Sequence, residues 1–224
     1  ARPAEALFVW DADHGITDLA SAPNAFAGGE WTCTLDPDLL LSQLIISEFM
    51  AANVSDTGWK DEDGDLHDWI EIHNRGSNVV DLLGWSLTDD ADSPDEWVFP
   101  ARILGPGGHL VVFASGKDRR PVGTLPLHTN FKLSAAGEHL ALLSPEQPRR
   151  VVSAFAPAYP EQRADYSYGL TPAGALGYFA RPTPGASNVA ATPLAGVVAR
   201  PRASVASGFY TEPMQVYLAC ETPL

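Results

Sequence analysis

Short runs of alternating or β-rich residues, separated by turns, occupy the middle of the chain. In "DWIEIHN" (68–74), Trp69 and Glu71 fall on one face of an extended chain. Ile70 and Ile72 fall on the other face. Glycine and proline, 19 of each, bound such runs throughout the sequence. Strands are therefore predicted at 43–51, 68–74, 79–89, 96–100, 109–115, 128–134, 138–144, 151–157 and 165–169.

The spacing of these runs predicts an all-β fold, because many short strands separated by turns are typical of antiparallel sandwiches and barrels. Ile70 and Ile72 are the predicted inward side of their strand, so Trp69 needs another cover, such as a loop. Gly84 interrupts the run 79–89 and predicts a bend or bulge there. A short helix, capped by Asp36, is the one helical element predicted, at 36–43.

The flanks are patterned more weakly than the middle. Residues 1–41 are rich in alanine and match no known pattern, so we leave them unassigned. We predict one sandwich domain over 42–190 and a Pro/Ala-rich linker over 191–203. Residues 204–224 turn strand-like again but lack partner strands of their own. We expect this tail to be disordered or to pair with an edge of the sandwich.

Charge and composition exclude several partners. The formal net charge is −14, with only 14 basic residues, which argues against nucleic acid and anionic membranes. No apolar run approaches the roughly 18 residues that a membrane helix needs, so membrane insertion is not expected. Cys33 and Cys220 either pair in an oxidising compartment or remain two thiols. The chain begins at Ala1 with no visible signal peptide, and it reads as an excerpt from a longer protein.

A series of motifs lies between residues 44 and 190. They are, in order, "LIISEFMAAN", "DEDGDLHDWIEIHN", "VVDLLGWSLTDD", "WVFP", "PGGHLVVFAS", "HTNFKLSAAGEHLALLS" and "RPTPGASN". This ordered series resembles the lamin tail domain as found in large secreted bacterial proteins. The resemblance implies an immunoglobulin-like antiparallel β-sandwich without catalytic activity, an extracellular or cell-surface location, and neighbouring domains, often a CotH-type kinase domain. The tail "SGFYTEPMQVYLA" is similar to the opening of the small module at the ends of chitobiases and hexosaminidases, here cut short.

The familiar catalytic motifs are absent from the sequence. It contains no G-x-S-x-G, Walker loop, H-E-x-x-H or C-x-x-C. A catalytic carboxylate pair needs two environments that separate its pKa values, and a solvated acidic run offers all its members the same one. We predict no enzyme activity, no catalytic residue and no required cofactor.

The acidic stretch "DEDGD" (61–65) is the one candidate metal site. Asp61, Asp63 and Asp65 alternate around Gly64, so a tight turn would aim all three carboxylates inward, and calcium prefers such oxygen ligands. The match to an EF-hand loop is partial, because the closing acid is missing. Asp68 or Glu71 would have to supply that ligand, or the acidic run 87–96 would have to approach from another strand. Calcium binding and a plain solvated turn both remain open at this point.

The sequence therefore predicts a non-catalytic interaction or structural module of a larger exported protein. Its expected partner is a protein or a cell-surface polymer, beside the neighbouring domains of the same chain. One alternative is a carbohydrate-binding module, suggested by Trp59 in a polar loop and by the hexosaminidase-like tail. The other alternative is a calcium-stabilised adhesion module.

Overall fold

The computed structural model describes residues 4–10, 29–35, 43–171, 173–190, 192–194, 196 and 201–220. The chain divides into two compact units, one up to residue 43 and one from Leu44 onward. In the first unit, strands β1 (Ala4–Trp10) and β2 (Gly29–Leu35) form an antiparallel hairpin within the flank left unassigned from sequence. Residues 36–42 of the predicted short helix lie outside the described residues.

The second unit is built almost entirely from short strands. The described part of the chain contains no helix long and apolar enough to cross a membrane. A single 3-10 turn at Asn188–Ala190 is its one helical element among the described residues. The strands are β3 (Leu44–Met50), β4 (Asp68–Asn74), β5 (Val80–Asp81), β6 (Ser86–Thr88), β7 (Trp97–Val98), β8 (Ile103–Leu104), β9 (His109–Ala114), β10 (Leu127–His128), β11 (Leu140–Leu143), β12 (Val151–Phe155), β13 (Ser167–Leu170), β14 (Leu176–Phe179), β15 (Pro193–Leu194), β16 (Arg202–Ala203) and β17 (Leu218–Ala219).

Two sheets face each other and confirm the predicted β-sandwich. The larger sheet has seven strands in the order β10-β9-β4-β3-β13-β14-β15, and the smaller has four in the order β12-β11-β6-β7. Strands β5 and β8 form a separate two-stranded ribbon. Neighbouring strands pair antiparallel except β10, which runs parallel to β9 at the edge. The Ser153 hydroxyl of β12 accepts the Ile46 N–H of β3 at 3.0 Å, which ties the two sheets directly.

The main core lies between the sheets. Ile70 and Ile72 of β4 are fully buried and pack in one cluster with Leu87 and Trp97 of the smaller sheet. Burying each such side chain contributes on the order of 2–3 kcal/mol. The prediction that Ile70 and Ile72 face inward is confirmed.

A second, small cluster covers the opposite face of the larger sheet. We call it the outer cluster, and it consists of Met50, Trp69 and Phe113. The indole of Trp59 lies 6.3 Å from that of Trp69, so a loop residue covers Trp69 as the sequence predicted.

A β-bulge in β3 decides which side chains face outward. The register with β4 shifts between Ile46 and Glu48, so Ser47 is an extra residue. Because of this insertion, Ile46 and Phe49 both face the main core although they lie three residues apart. Glu48 is thereby placed on the outer face, opposite Glu71 of β4.

Short strand pairings occur within the segments predicted as linker and tail. Within the predicted linker 191–203, Pro193–Leu194 forms edge strand β15 and pairs with β14. The exposed tail pairs within itself, β16 with β17, rather than with an edge of the sandwich. The side chain of Cys33 lies outside the described part of the chain, so its pairing with Cys220 stays a prediction.

Gly169 of β13 gives a test of the bulged strand. A Cβ at this position would lie 2.2 Å from the Ser47 carbonyl oxygen, so only glycine allows β13 to approach the bulge. We expect Gly169→Ala to lower the melting temperature by about 3–10 °C, since overpacking costs about 1–3 kcal/mol. Gly105→Ala is the matched control, because a Cβ there meets nothing within 4 Å. Equal melting of both variants in thermal denaturation would contradict this account.

Candidate functional site

The acidic loop before β4 folds around its first carboxylate. One Asp61 oxygen accepts the N–H groups of Asp63 and Asp65, each at 2.9 Å. The Asp61 N–H donates to the Asp65 carbonyl at 2.9 Å, and Gly64 supplies the positive φ of +84° that closes the turn. The alternating carboxylates therefore converge, as the spacing around Gly64 indicated.

A lysine from another part of the chain occupies the point of convergence. The Lys117 ammonium donates to Asp61 at 2.5 Å, to Asp63 at 2.8 Å and to Asp65 at 2.9 Å. We call these four residues the lysine cage. Partial burial by itself would lower the pKa of Lys117. The hydrogen bonds to the three carboxylates outweigh burial and raise this pKa well above its ordinary value. A calcium ion at this point would first have to displace the ammonium group.

A second layer of ion pairs holds the loop to the sheet edge. The Arg119 guanidinium donates to Glu62 at 2.7 Å and lies 2.6 Å from the Asp63 carboxylate. The ring of His128, fully buried in β10, places Nε2 2.9 Å from Glu62 and Nδ1 2.9 Å from the Ser115 hydroxyl. The loop is thus fixed to β10 and to the segment after β9.

The four carboxylates proposed as metal ligands do not all come together. Asp61, Asp63 and Asp65 do, while Asp68 instead accepts the Asn53 N–H at 3.3 Å. Burial raises the pKa of Asp68 to about 6. Among the described residues, two sets of three side chains have geometry suited to a metal ion: Asp61, Asp65 and His67, and Asp61, Glu62 and His128.

The acids of this stretch differ in environment, contrary to the expectation from sequence. Asp61 is buried at 8% exposure, whereas Asp63 and Asp65 are exposed. Burial by itself would raise the pKa of Asp61, but the hydrogen bond from Lys117 outweighs burial and lowers this pKa. The pKa of Asp68 moves in the opposite direction because burial dominates there. One solvated environment therefore does not describe the stretch.

Two further glutamates, which the sequence analysis did not single out as a pair, lie buried on the outer face. Glu48 and Glu71 are cross-strand partners and each is 0% exposed. Glu71 accepts hydrogen bonds from the Ser47 hydroxyl at 2.5 Å and the Gly185 N–H at 2.7 Å. Its other contact is the His109 Nδ1 at 2.9 Å. The sequence contained one signal of this buried pair: Glu48 is an isolated charge within the apolar run "LIISEFMA".

Residues 183–188, which we call the covering segment, supply hydrogen-bond donors to Glu48. The Thr183 N–H and hydroxyl donate to Glu48 at 3.1 and 2.9 Å, and the Ser167 hydroxyl also donates to it. The Asn188 amide donates to the Leu170 carbonyl at 2.9 Å. Burial raises the pKa of Glu48, which these hydrogen bonds partly offset.

Trp59 has a structural role in the described fold. Its ring lies 6.3 Å from those of both Trp69 and Phe113, and 39% of the residue is exposed. A Cβ on Gly185 would lie 3.5 Å from the indole, so the covering segment also abuts it. A sugar could stack only on the part of the Trp59 ring that remains exposed. Carbohydrate binding stays a prediction.

The fold defines the class of protein to which this chain belongs. A sandwich of two facing, mainly antiparallel sheets has the architecture of immunoglobulin-like domains. Residues 41–155, just over half of the 224-residue chain, match the family model of the Lamin Tail Domain. The chain belongs to this family, whose domains are non-enzymatic. No curated protein matches the chain.

The lysine cage can be tested by removing its cation. We expect Lys117→Gln to lower the melting temperature at pH 7 by about 2–6 °C, because three converging carboxylates lose their counter-charge. The pKa of Asp61 is depressed in the folded state, so the cage contributes stability above about pH 4 and loses it at lower pH. The difference in melting temperature between Lys117→Gln and the unmodified chain should therefore shrink below pH 4. Lys60→Gln, at an exposed lysine outside the cage, is the control, and an equal loss in both variants would contradict the assignment.

A second test uses the carboxyl pair of Asp89 and Glu96. Burial, followed by the hydrogen bond and charge of Glu96, raises the pKa of Asp89 to about 7. The folded state therefore loses stability as pH rises from about 4 to about 7 through this group. We expect Asp89→Asn to melt higher than the unmodified chain at pH 8, with the advantage disappearing near pH 4. Melting curves of Asp92→Asn, an exposed neighbour, should follow the unmodified chain at every pH.

Proposed function

We propose that this domain is an interaction or structural module of a larger exported or cell-surface protein. Its chemistry serves the fold: the lysine cage neutralises the acidic loop, and the covering segment satisfies the buried glutamates. The observation that carries the proposal is the pairing of the loop acids with Lys117, Arg119 and His128 of the same domain. Groups committed in this way stabilise a rigid scaffold rather than react with a substrate.

The surroundings of the domain are part of the same proposal. The resemblance to large secreted bacterial proteins supports an extracellular location and neighbouring domains, with a CotH-type kinase domain among the candidates. The tail, with its β16–β17 pairing, would open a further small β module. The partner would be a protein or a cell-surface polymer that meets the sandwich or its ribbon, where Ile103 is 65% exposed.

Deleting residues 42–190 from the full-length protein in its source organism tests the role. We expect less of the protein on intact cells, measured by antibody labelling, while the purified neighbouring domains keep their activity. Gly169→Ala, which disturbs the sandwich without removing it, should reduce labelling to an intermediate level. Unchanged surface retention together with loss of a catalytic activity would contradict a non-catalytic role.

Calcium stabilisation is the second candidate, favoured by the convergence of Asp61, Asp63 and Asp65 on one point. An ion that binds only the folded state at a hundredfold excess over Kd stabilises it by about 2.7 kcal/mol. We expect calcium, compared with chelator, to raise the melting temperature of the unmodified chain and to raise that of Lys117→Gln further. Asp63→Asn should remove both gains. A gain confined to Lys117→Gln would identify Lys117 as the native occupant and dismiss this candidate.

A further inference from the structure

A polar cleft of about 460 Å³ lies on the outer face of the seven-stranded sheet, away from the acidic loop. Its floor is aliphatic, formed by Ile45 of β3 and Leu170 of β13. Polar side chains from β4, from β9 and from the covering segment stand around this floor. We call the site the histidine cleft and define it by Ile45, His73, Arg75, His109, Leu170 and Ser187.

The lining of this cleft carries a charge opposite to that of the chain, although the buried Glu71 lies behind it against His109. The protein carries a formal net charge of −14, yet none of the described lining residues of the cleft is acidic. Arg75 is exposed and forms no ion pair with any carboxylate in the described part of the chain. By contrast, Arg119 and Arg149 are both paired with acids. An arginine left uncommitted in so acidic a chain is available to a ligand.

The two histidines are held in fixed positions beside that arginine. The rings of His73 and His109 stack with centroids 4.0 Å apart and planes 11° apart. Glu71 is 2.9 Å from Nδ1 of His109, which leaves Nε2 of His109 for the cleft. Burial, together with the charges of His109 and Arg75, lowers the pKa of His73 to about 4. His73 is therefore neutral at pH 7 and offers one N–H donor.

These groups define the ligand by charge and size. Arg75 is the only lining group among the described residues that is always charged, so the cleft suits a single negative charge better than two. Its planar fork matches the two oxygens of a carboxylate. The volume falls in the range of small-molecule pockets, about 300–1,000 Å³, and exceeds that of a bare ion. The aliphatic floor would contact the body of such a ligand, with the Ser187 hydroxyl at the rim.

We propose that the histidine cleft binds a small organic carboxylate of sugar-acid size, with Arg75 holding the carboxylate and the histidine stack and Ser187 donating beside it. The ligand is either a free acid or the acidic residue of a polymer, since both present the same group. This site goes beyond the role proposed above and does not rest on it, because it needs only the folded sandwich. A failed titration would remove the site and leave the surface-retention test unaffected.

Titration of the whole chain with glucuronate, followed by amide chemical shifts, tests the proposal. We expect saturable shifts at Arg75, His73 and Ser187 with a Kd on the order of 1 mM, as for a ligand of this size. Arg75→Gln should weaken binding at least about tenfold while its spectrum elsewhere stays unchanged, because Arg75 is exposed. His73→Phe, which keeps a ring in the stack but removes the donor, should weaken binding less. Arg181→Gln, at an exposed arginine outside the cleft, should bind as the unmodified chain does.

Three probes separate the ligand classes. Glucose, which has the sugar ring without the carboxylate, should produce no saturable shift at the cleft, and oligoglucuronate should bind as well as the monomer if polymer ends enter it. Inorganic phosphate should bind more weakly than glucuronate. Equal binding of glucose, tighter binding of phosphate, retained affinity in Arg75→Gln or no glucuronate shift at all would each overturn the proposal.

Discussion

The burial of two neighbouring carboxylates, Glu48 and Glu71, is the constraint on which the outer face of the larger sheet depends. A carboxylate removed from water loses several kcal/mol of solvation unless donors replace the water. Here the donors come from Ser47, from His109 and above all from residues 183–188. The sheet therefore cannot be complete without the chain that follows β14. That requirement explains why the structural domain extends beyond Phe155, where the family match ends.

The carboxylates of the acidic loop are also compensated by groups from other parts of the chain, but this loop is more exposed to solvent than the buried glutamates. Exposed ion pairs contribute little individually, but the cage shares one ammonium among three carboxylates, one of them buried. Loop and sheet edge are thereby fixed to each other without an apolar core between them. The described sandwich thus has apolar packing between its sheets, while the carboxylates of its outer face and acidic loop are compensated by donors and cations of the same domain.

Sequence patterns predicted the features that depend on the spacing of residues within a single strand or turn. Alternation located β4 and its inward Ile70 and Ile72, and the spacing around Gly64 indicated that the loop carboxylates converge. The occupant of that convergence was missed because Lys117 lies 56 residues after Asp61, and no local pattern encodes such a pairing. The cross-strand glutamates were missed for the same reason. Strand β15 was read as linker because proline and alanine normally signal one, although proline is tolerated at a sheet edge.

The dependence of Glu48 on Thr183 also constrains how the chain is made. The two residues are 135 positions apart, so β3 leaves the ribosome long before its last hydrogen-bond donors exist. At about 5–20 residues per second, this interval is on the order of 10 s. Until it has passed, the outer glutamates stay hydrated and the sheet cannot close on that side. Folding of this sandwich is therefore completed at the end of its synthesis rather than strand by strand.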